Sequence, residues 1–133
     1  VLLNENFDVK LADFGAAVRN ANREHQLDEY IGTSYWMSPE MIACQLRDKQ
    51  THYAYKTDVW SAGVTAVELA ERVPPNSDVL QQRLFLRVLK RDQPVTFKNP
   101  DQWSADFHDF LDKSLRKEQN ERLSAAQLLM VSS

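Results

Sequence analysis

The sequence predicts an α+β fold in which one short β-hairpin leads into a set of helices. Three observations predict it. Apolar or alternating runs at residues 1–3 and 7–11 flank an Asn-rich turn at the very beginning. From residue 58 onward the apolar residues recur at helical spacings. No internal repeat or low-complexity tract breaks that order, so the chain reads as the helical half of an α+β domain.

The hairpin comes from Val1, Leu2 and Leu3, the turn residues Asn4, Glu5 and Asn6, and the alternation of Phe7, Asp8, Val9, Lys10 and Leu11. Asp13-Phe14-Gly15 follows at once. Residues 16–40 keep no period, and a loop of that length inside a compact domain is a functional segment or a linker. Tyr30, Ile31, Tyr35, Trp36 and Met37 carry more apolar surface than a linker needs. A short helix is predicted at 41–46, then a polar loop to residue 56. Asp58 opens a helix in which Val59, Trp60, Gly63, Val64, Ala66, Val67, Leu69 and Ala70 are apolar or small almost all round, as in a central buried helix. Val73-Pro74-Pro75 is expected to end it, because proline lacks the donor and its ring clashes with the preceding turn. Residues 79–91 and 104–117 read as amphipathic helices, the first with Leu80, Leu84 and Val88 in line, the second with Phe107, Phe110, Leu111 and Leu115. Ser124-Ala125-Ala126-Gln127 has the form of a capping box and opens a last helix.

With 133 residues, 43% hydrophobic and 26% charged, the chain has material for one domain with a real core. A net charge of -3 gives no electrostatic case for nucleic acid or an anionic membrane as partner. No stretch approaches the roughly 20 apolar residues of a membrane span. The single cysteine, Cys44, excludes an internal disulfide framework and fits a reducing compartment, hence an expected cytoplasmic location.

Asp-Phe-Gly alone is a weak signal; its context makes it specific. It follows a hairpin, and downstream come Ser38-Pro39-Glu40, then Asp58-Val59-Trp60 opening an apolar helix, then Arg122 near the far end. Protein kinases have this order of Asp-Phe-Gly, activation loop, Ala-Pro-Glu and buried helix. Gly32-Thr33-Ser34-Tyr35-Trp36-Met37-Ser38-Pro39-Glu40 resembles the Gly-Thr-Pro-Tyr-Trp-Met-Ala-Pro-Glu of germinal-centre-type serine/threonine kinases. Residues 55–61, Glu68-Leu69-Ala70-Glu71 with Pro74-Pro75, Trp103-Ser104 with Asp109-Phe110-Leu111, and residues 124–129 are similar to the Ste-like and lymphocyte-oriented kinases within that group. The resemblance covers nearly the whole chain. It implies a protein-kinase-like fold, with residues 1–133 forming a partial kinase domain: the Asp-Phe-Gly segment, the activation loop and the helices of the mostly helical C-terminal lobe.

It further implies an ATP- and Mg²⁺-dependent enzyme that transfers the γ-phosphate to serine or threonine hydroxyls of protein substrates. Kinase catalysis is positioning plus charge neutralisation. Asp13 would bind the Mg²⁺ that bridges the phosphates, a hard cation that prefers oxygen ligands. Leu2 would lie under the adenine ring, although as a lone leucine it is equally explained as strand core. Phe14 would couple loop position to activity or simply fill core, and Gly15 would give the hinge its backbone freedom. Thr33 would mark serine/threonine specificity and contact the catalytic loop. Glu40 would form a buried ion pair with Arg122, a structural role. Asp58 would accept backbone N–H bonds from the catalytic loop, or serve as a plain N-cap. Dimerisation through the activation segment is a further expectation.

Several positions depart from the family pattern. Ser34 stands in place of a common proline and Ser38 in place of alanine. Glu29 falls where relatives carry a phosphorylatable hydroxyl; its one negative charge makes it either a partial built-in substitute for a phosphate, which carries roughly 1.5 to 2, or a solvated loop charge. The His-Arg-Asp loop with the catalytic base, the second metal-binding asparagine, the Gly-rich loop and the β3 lysine with its glutamate are not among these residues. The catalytic base is therefore expected upstream of Val1, and the chain alone is expected to be inactive. The competing reading is a non-catalytic interaction module or an incomplete gene product.

Overall fold

A computed structural model describes residues 1–18, 33–46, 53–90, 95 and 97–131. The chain begins with a two-stranded antiparallel hairpin, β1 (Leu2–Leu3) and β2 (Val9–Lys10), in which Leu2 pairs with Lys10 and Leu3 with Val9. Asn4 builds the turn. Its Oδ1 accepts from the N–H of Asn6 at 3.0 Å and of Asp8 at 2.8 Å, and its amide donates to the Asp8 carboxylate. Phe7 takes a left-handed φ of 64° to close the loop.

Among the described residues five helices follow: α1 (Pro39–Gln45), α2 (Lys56–Glu71), α3 (Gln81–Lys90), α4 (Ala105–Ser114) and α5 (Ala125–Val131). Two 3₁₀ turns, Ser34–Trp36 and Pro100–Gln102, precede α1 and α4. Helix α2 lies at the centre, with α4 packed on it and α5 on α4, while α3 packs on α1 and the Ser34–Trp36 turn bridges α2 and α3. The core joins Met37, Met41, Ile42, Tyr53, Trp60, Val64, Leu84, Phe85 and Val88. A second, aromatic cluster packs Phe97, Trp103, Phe107 and His108 with ring centroids 5.4 to 5.9 Å apart. Among the described residues no helix is long and apolar enough to cross a membrane.

Several boundaries differ from the sequence expectation. Helix α1 begins two residues earlier than predicted, at Pro39: Ser38 is its N-cap, accepting from the Met41 N–H, and proline is suited to the first helical position because that N–H has no partner in a helix. Helix α2 begins at Lys56, so Asp58 lies inside the first turn and is not the N-cap; 3₁₀-type bonds from Thr57 to Ala54 and from Asp58 to Tyr55 start the helix within residues that read as loop. Its far end comes at Glu71, with Arg72 left-handed at φ 61°. The chain has left the helix before Pro74, because the residue preceding a proline is itself disfavoured from helical backbone. The helix is buried on one face and not all round: Leu69 is exposed, and Ala66 and Ala70 are half-buried. Leu80, expected in line with Leu84 and Val88, lies before α3 and is exposed. The capping box at Ser124 forms in both directions, with Ser124 N–H on Gln127 Oε1 at 2.8 Å and Gln127 N–H on Ser124 Oγ at 3.3 Å.

Candidate functional site

Asp13 follows the hairpin directly and is held in left-handed backbone at φ 66°. Aspartate adopts this conformation at less cost than most residues with a Cβ; Phe7, Arg72 and Asn76 share it in turns and caps. One carboxylate oxygen receives the Gly15 N–H at 3.4 Å, and the residue is otherwise open to solvent. Gly15 has no positive φ; Asp13 takes the left-handed position. Leu2 and Phe14 are 60% and 68% exposed, so neither is core among the described residues, because no described helix packs closely against the hairpin. No group of three or more His, Cys, Asp or Glu that could hold an ion occurs among the described residues. A lone exposed carboxylate does fit Mg²⁺, which keeps several waters and binds through one or two carboxylates plus phosphate oxygens.

The segment from Thr33 to Glu40 is anchored far more firmly. Thr33 is the extended residue before the Ser34–Trp36 turn; its hydroxyl makes no capping bond, and its carbonyl accepts the Trp36 N–H at 3.1 Å. The Trp36 indole N–H donates to Glu68 Oε2 at 3.0 Å, and Ser61 Oγ donates to the Trp36 carbonyl at 2.9 Å, so α2 holds the turn at two points. From α3, Gln81 Nε2 donates to Ser34 Oγ at 2.6 Å. Ser38, fully buried, pairs its hydroxyl with that of Thr57 as well as capping α1. Both serines that depart from the family pattern thus have polar partners. Glu29 and Gly32 lie outside the described residues.

Glu40 and Arg122 meet at the bottom of this segment. Arg122 Nη1 donates to Glu40 Oε1 at 2.6 Å and Nη2 to Oε2 at 3.0 Å, with the two side chains 0% and 6% exposed. The remaining N–H donors reach three carbonyls: Nε to Arg116 at 3.1 Å, Nη1 to Lys56 at 2.9 Å and Nη2 to Lys117 at 3.3 Å. All five donors of the guanidinium are used, which is the condition under which a buried charge is tolerated. Its carbon also lies 5.1 Å from the centroid of the Trp60 ring, a cation–π placement. Asp58, in the first turn of α2, is solvent-exposed as a residue, yet the protein packed around its carboxyl pushes its pKa above the ordinary 3.8 by desolvation.

The Glu68, Thr57 and Gln81 partnerships were not legible in the sequence, because each crosses between distant segments. The cap at Ser38 was missed, since the helix was expected from residue 41, although serine directly before proline and an acidic residue is a signal that could have found it.

A hairpin followed by an aspartate in left-handed backbone, a loop docked on a central helix and a glutamate sealed by a late arginine define a kinase-type catalytic-lobe arrangement. The chain belongs to the protein kinase family: residues 1–132 match the protein kinase domain. Over 129 residues, 97% of this chain, it is 43% identical to "Serine/threonine-protein kinase 10" of Homo sapiens and equally to that of Xenopus tropicalis, of which it covers 13%. It is 40% identical over the same length to "Serine/threonine-protein kinase dst1" of Dictyostelium discoideum, of which it covers 17%. The chain thus spans a small part of the length of these relatives, all named serine/threonine-protein kinases.

Proposed function

We propose that the protein containing this chain transfers the γ-phosphate of ATP to serine or threonine hydroxyls of proteins, and that residues 1–133 are the activation-segment and C-lobe part of its kinase domain. Within the family, the resemblance of residues 32–40 and 55–61 favours the Ste-like and lymphocyte-oriented subgroup. The single observation that carries the reading is Asp13, a carboxylate presented to solvent on left-handed backbone at the place where the family binds metal. Asp13 would hold the Mg²⁺, which when bound neutralises phosphate charge; Gly15 orients the carboxylate by its N–H. The base is supplied from outside these residues, and the 133-residue chain alone is inactive. Protein substrates are the proposed partners and the cytoplasm the proposed location. Dimerisation would use the activation segment, whose residues 19–32 lie outside the described part.

The test is phosphate transfer from labelled ATP by the full-length protein to a mixed protein substrate, followed by phosphoamino-acid analysis. Label on serine or threonine, lost by at least a hundredfold in Asp13→Asn, is expected. Transfer that survives in Asp13→Asn, or label on tyrosine, would refute the assignment.

A further inference from the structure

The two 3₁₀ turns among the described residues have the same backbone pattern with different ways of holding it. In the Pro100–Gln102 turn, Gln102 N–H bonds to Asn99 O at 3.4 Å and Trp103 N–H to Pro100 O at 3.2 Å. In the Ser34–Trp36 turn, Trp36 N–H bonds to Thr33 O at 3.1 Å and Met37 N–H to Ser34 O at 3.4 Å. The first begins with a proline, whose ring fixes φ near the helical value and removes unfolded alternatives. The second begins with Ser34, which leaves that freedom in place. Ser34 instead has Gln81, at the first turn of α3, donating to its hydroxyl at 2.6 Å.

A proline would fit at position 34. Thr33 sits at φ -94° and ψ 130°, the extended conformation required of a residue before proline. Among the described residues the Ser34 N–H donates to no partner, so its loss removes no bond. The serine is therefore not forced by the backbone. What it adds is a side-chain link to α3, in addition to the α2 anchors from Glu68 and Ser61.

We propose that the Gln81–Ser34 hydrogen bond is a positioning clasp, doing between side chains what proline does within the backbone, and that in the full protein it sets how the 33–37 turn engages the protein substrate. The second half rests on the kinase reading above. Among the described residues the turn packs mainly on α2 and α3, and it has no packing of that extent with the hairpin that carries Asp13. On the kinase reading, a clasp placed away from the Asp13 end changes the engagement of the protein substrate and leaves ATP binding alone.

The experiment uses full-length wild type, Gln81→Ala, Ser34→Ala, Gln81→Ala with Ser34→Ala, and Gln81→Ala with Ser34→Pro. Hydrogen exchange at the Trp36 and Met37 amides and the KM values for a serine/threonine peptide and for ATP are measured. Gln81 is exposed and Ser34 half-buried, so these variants are expected to fold. Gln81→Ala and Ser34→Ala should each speed exchange and raise peptide KM about threefold to tenfold, the span one net hydrogen bond supports. The double alanine variant should be no worse than either single one, the ATP KM should not move, and Ser34→Pro should restore both readouts in the Gln81→Ala background. Unchanged exchange in Gln81→Ala, additive alanine effects or no rescue by proline would overturn the clasp. A changed exchange rate with an unmoved peptide KM would overturn its role toward substrate. A wild type without kinase activity would refute the functional reading alone, and the exchange data would still decide the clasp.

Discussion

Arg122 concentrates more structure on one side chain than any other residue described. It joins α1 through Glu40, the start of α2 through the Lys56 carbonyl, and the segment after α4 through Arg116 and Lys117. Removing one member of such a pair leaves the other charge buried without a partner, so Glu40→Ala is expected to cost about 3–5 kcal/mol in urea denaturation. Arg122→Lys keeps the charge but cannot span both carboxylate oxygens and three carbonyls, and should regain only a minor share of the loss of Arg122→Ala. Equal stability of the lysine variant and wild type would show that charge alone matters here. Asp58 gives a prediction of opposite sense. Its folded pKa lies above the unfolded value, so the folded state binds the proton more tightly. Its favourable contribution is complete below the ordinary 3.8 and is lost as pH rises through the raised value. Asp58→Asn in the 133-residue chain should therefore gain on wild type as pH climbs through that window, read from denaturation midpoints. The effect is small because water reaches the residue. A gap that stays constant with pH would show that the carboxyl is not desolvated.

At the level of elements, the contact between α2 and α4 depends on Gly63. A Cβ at that position would lie 2.7 Å from Ser114 Oγ and 2.9 Å from Leu115 Cδ2, and Ser114 is fully buried. Alanine is the better helix former by about 1 kcal/mol, but overpacking a filled core costs about 1–3 kcal/mol. The clash is expected to win, and Gly63→Ala should lower the midpoint of unfolding; a stabilised variant would show that α4 shifts freely. This glycine was visible in the sequence only as one small residue in an apolar helix. Local chemistry was legible where neighbours in sequence make it: the Asn4 turn, the Ser124 box, and the amphipathic pattern of α3 and α4; the Ser38 cap with Pro39 carried the same kind of signal and was missed. The order Asp-Phe-Gly, Pro-Glu and late arginine was legible as a family resemblance. The clasp from Gln81, the anchor from Glu68 and the Thr57 partner of Ser38 were not, because no period or spacing says which distant hydroxyl or amide will arrive. The stop of α2 before Val73-Pro74-Pro75 was legible, but not the left-handed cap at Arg72, a position that glycine usually signals.

For the molecule as a whole, stability is unevenly spread between the hairpin and the helices. Residues 1–18 are exposed throughout, and they include Val1, Leu2, Leu3, Phe7, Val9, Leu11, Phe14 and Val18 as large apolar side chains. Strands of two residues each cannot sustain a hairpin alone in water, and that much open apolar surface invites association. Helices α1, α2 and α3, by contrast, share a core that includes Trp60, which is 1% exposed. In the 133-residue chain, amides of residues 1–18 are expected to exchange at nearly unprotected rates while those of α2 exchange only on global unfolding. Deleting residues 1–18 should move the stability of the helical part by less than about 0.5 kcal/mol and reduce the binding of a hydrophobic dye. In the full-length protein the same amides should become protected, because eight apolar side chains of this size gain about 1.5–3 kcal/mol each when fully covered. Protection that is already present in the short chain would mean the hairpin packs on the helices. Exchange equally fast in both would mean that nothing covers it, and Asp13 would then ride on a free arm unsuited to holding a metal against phosphate.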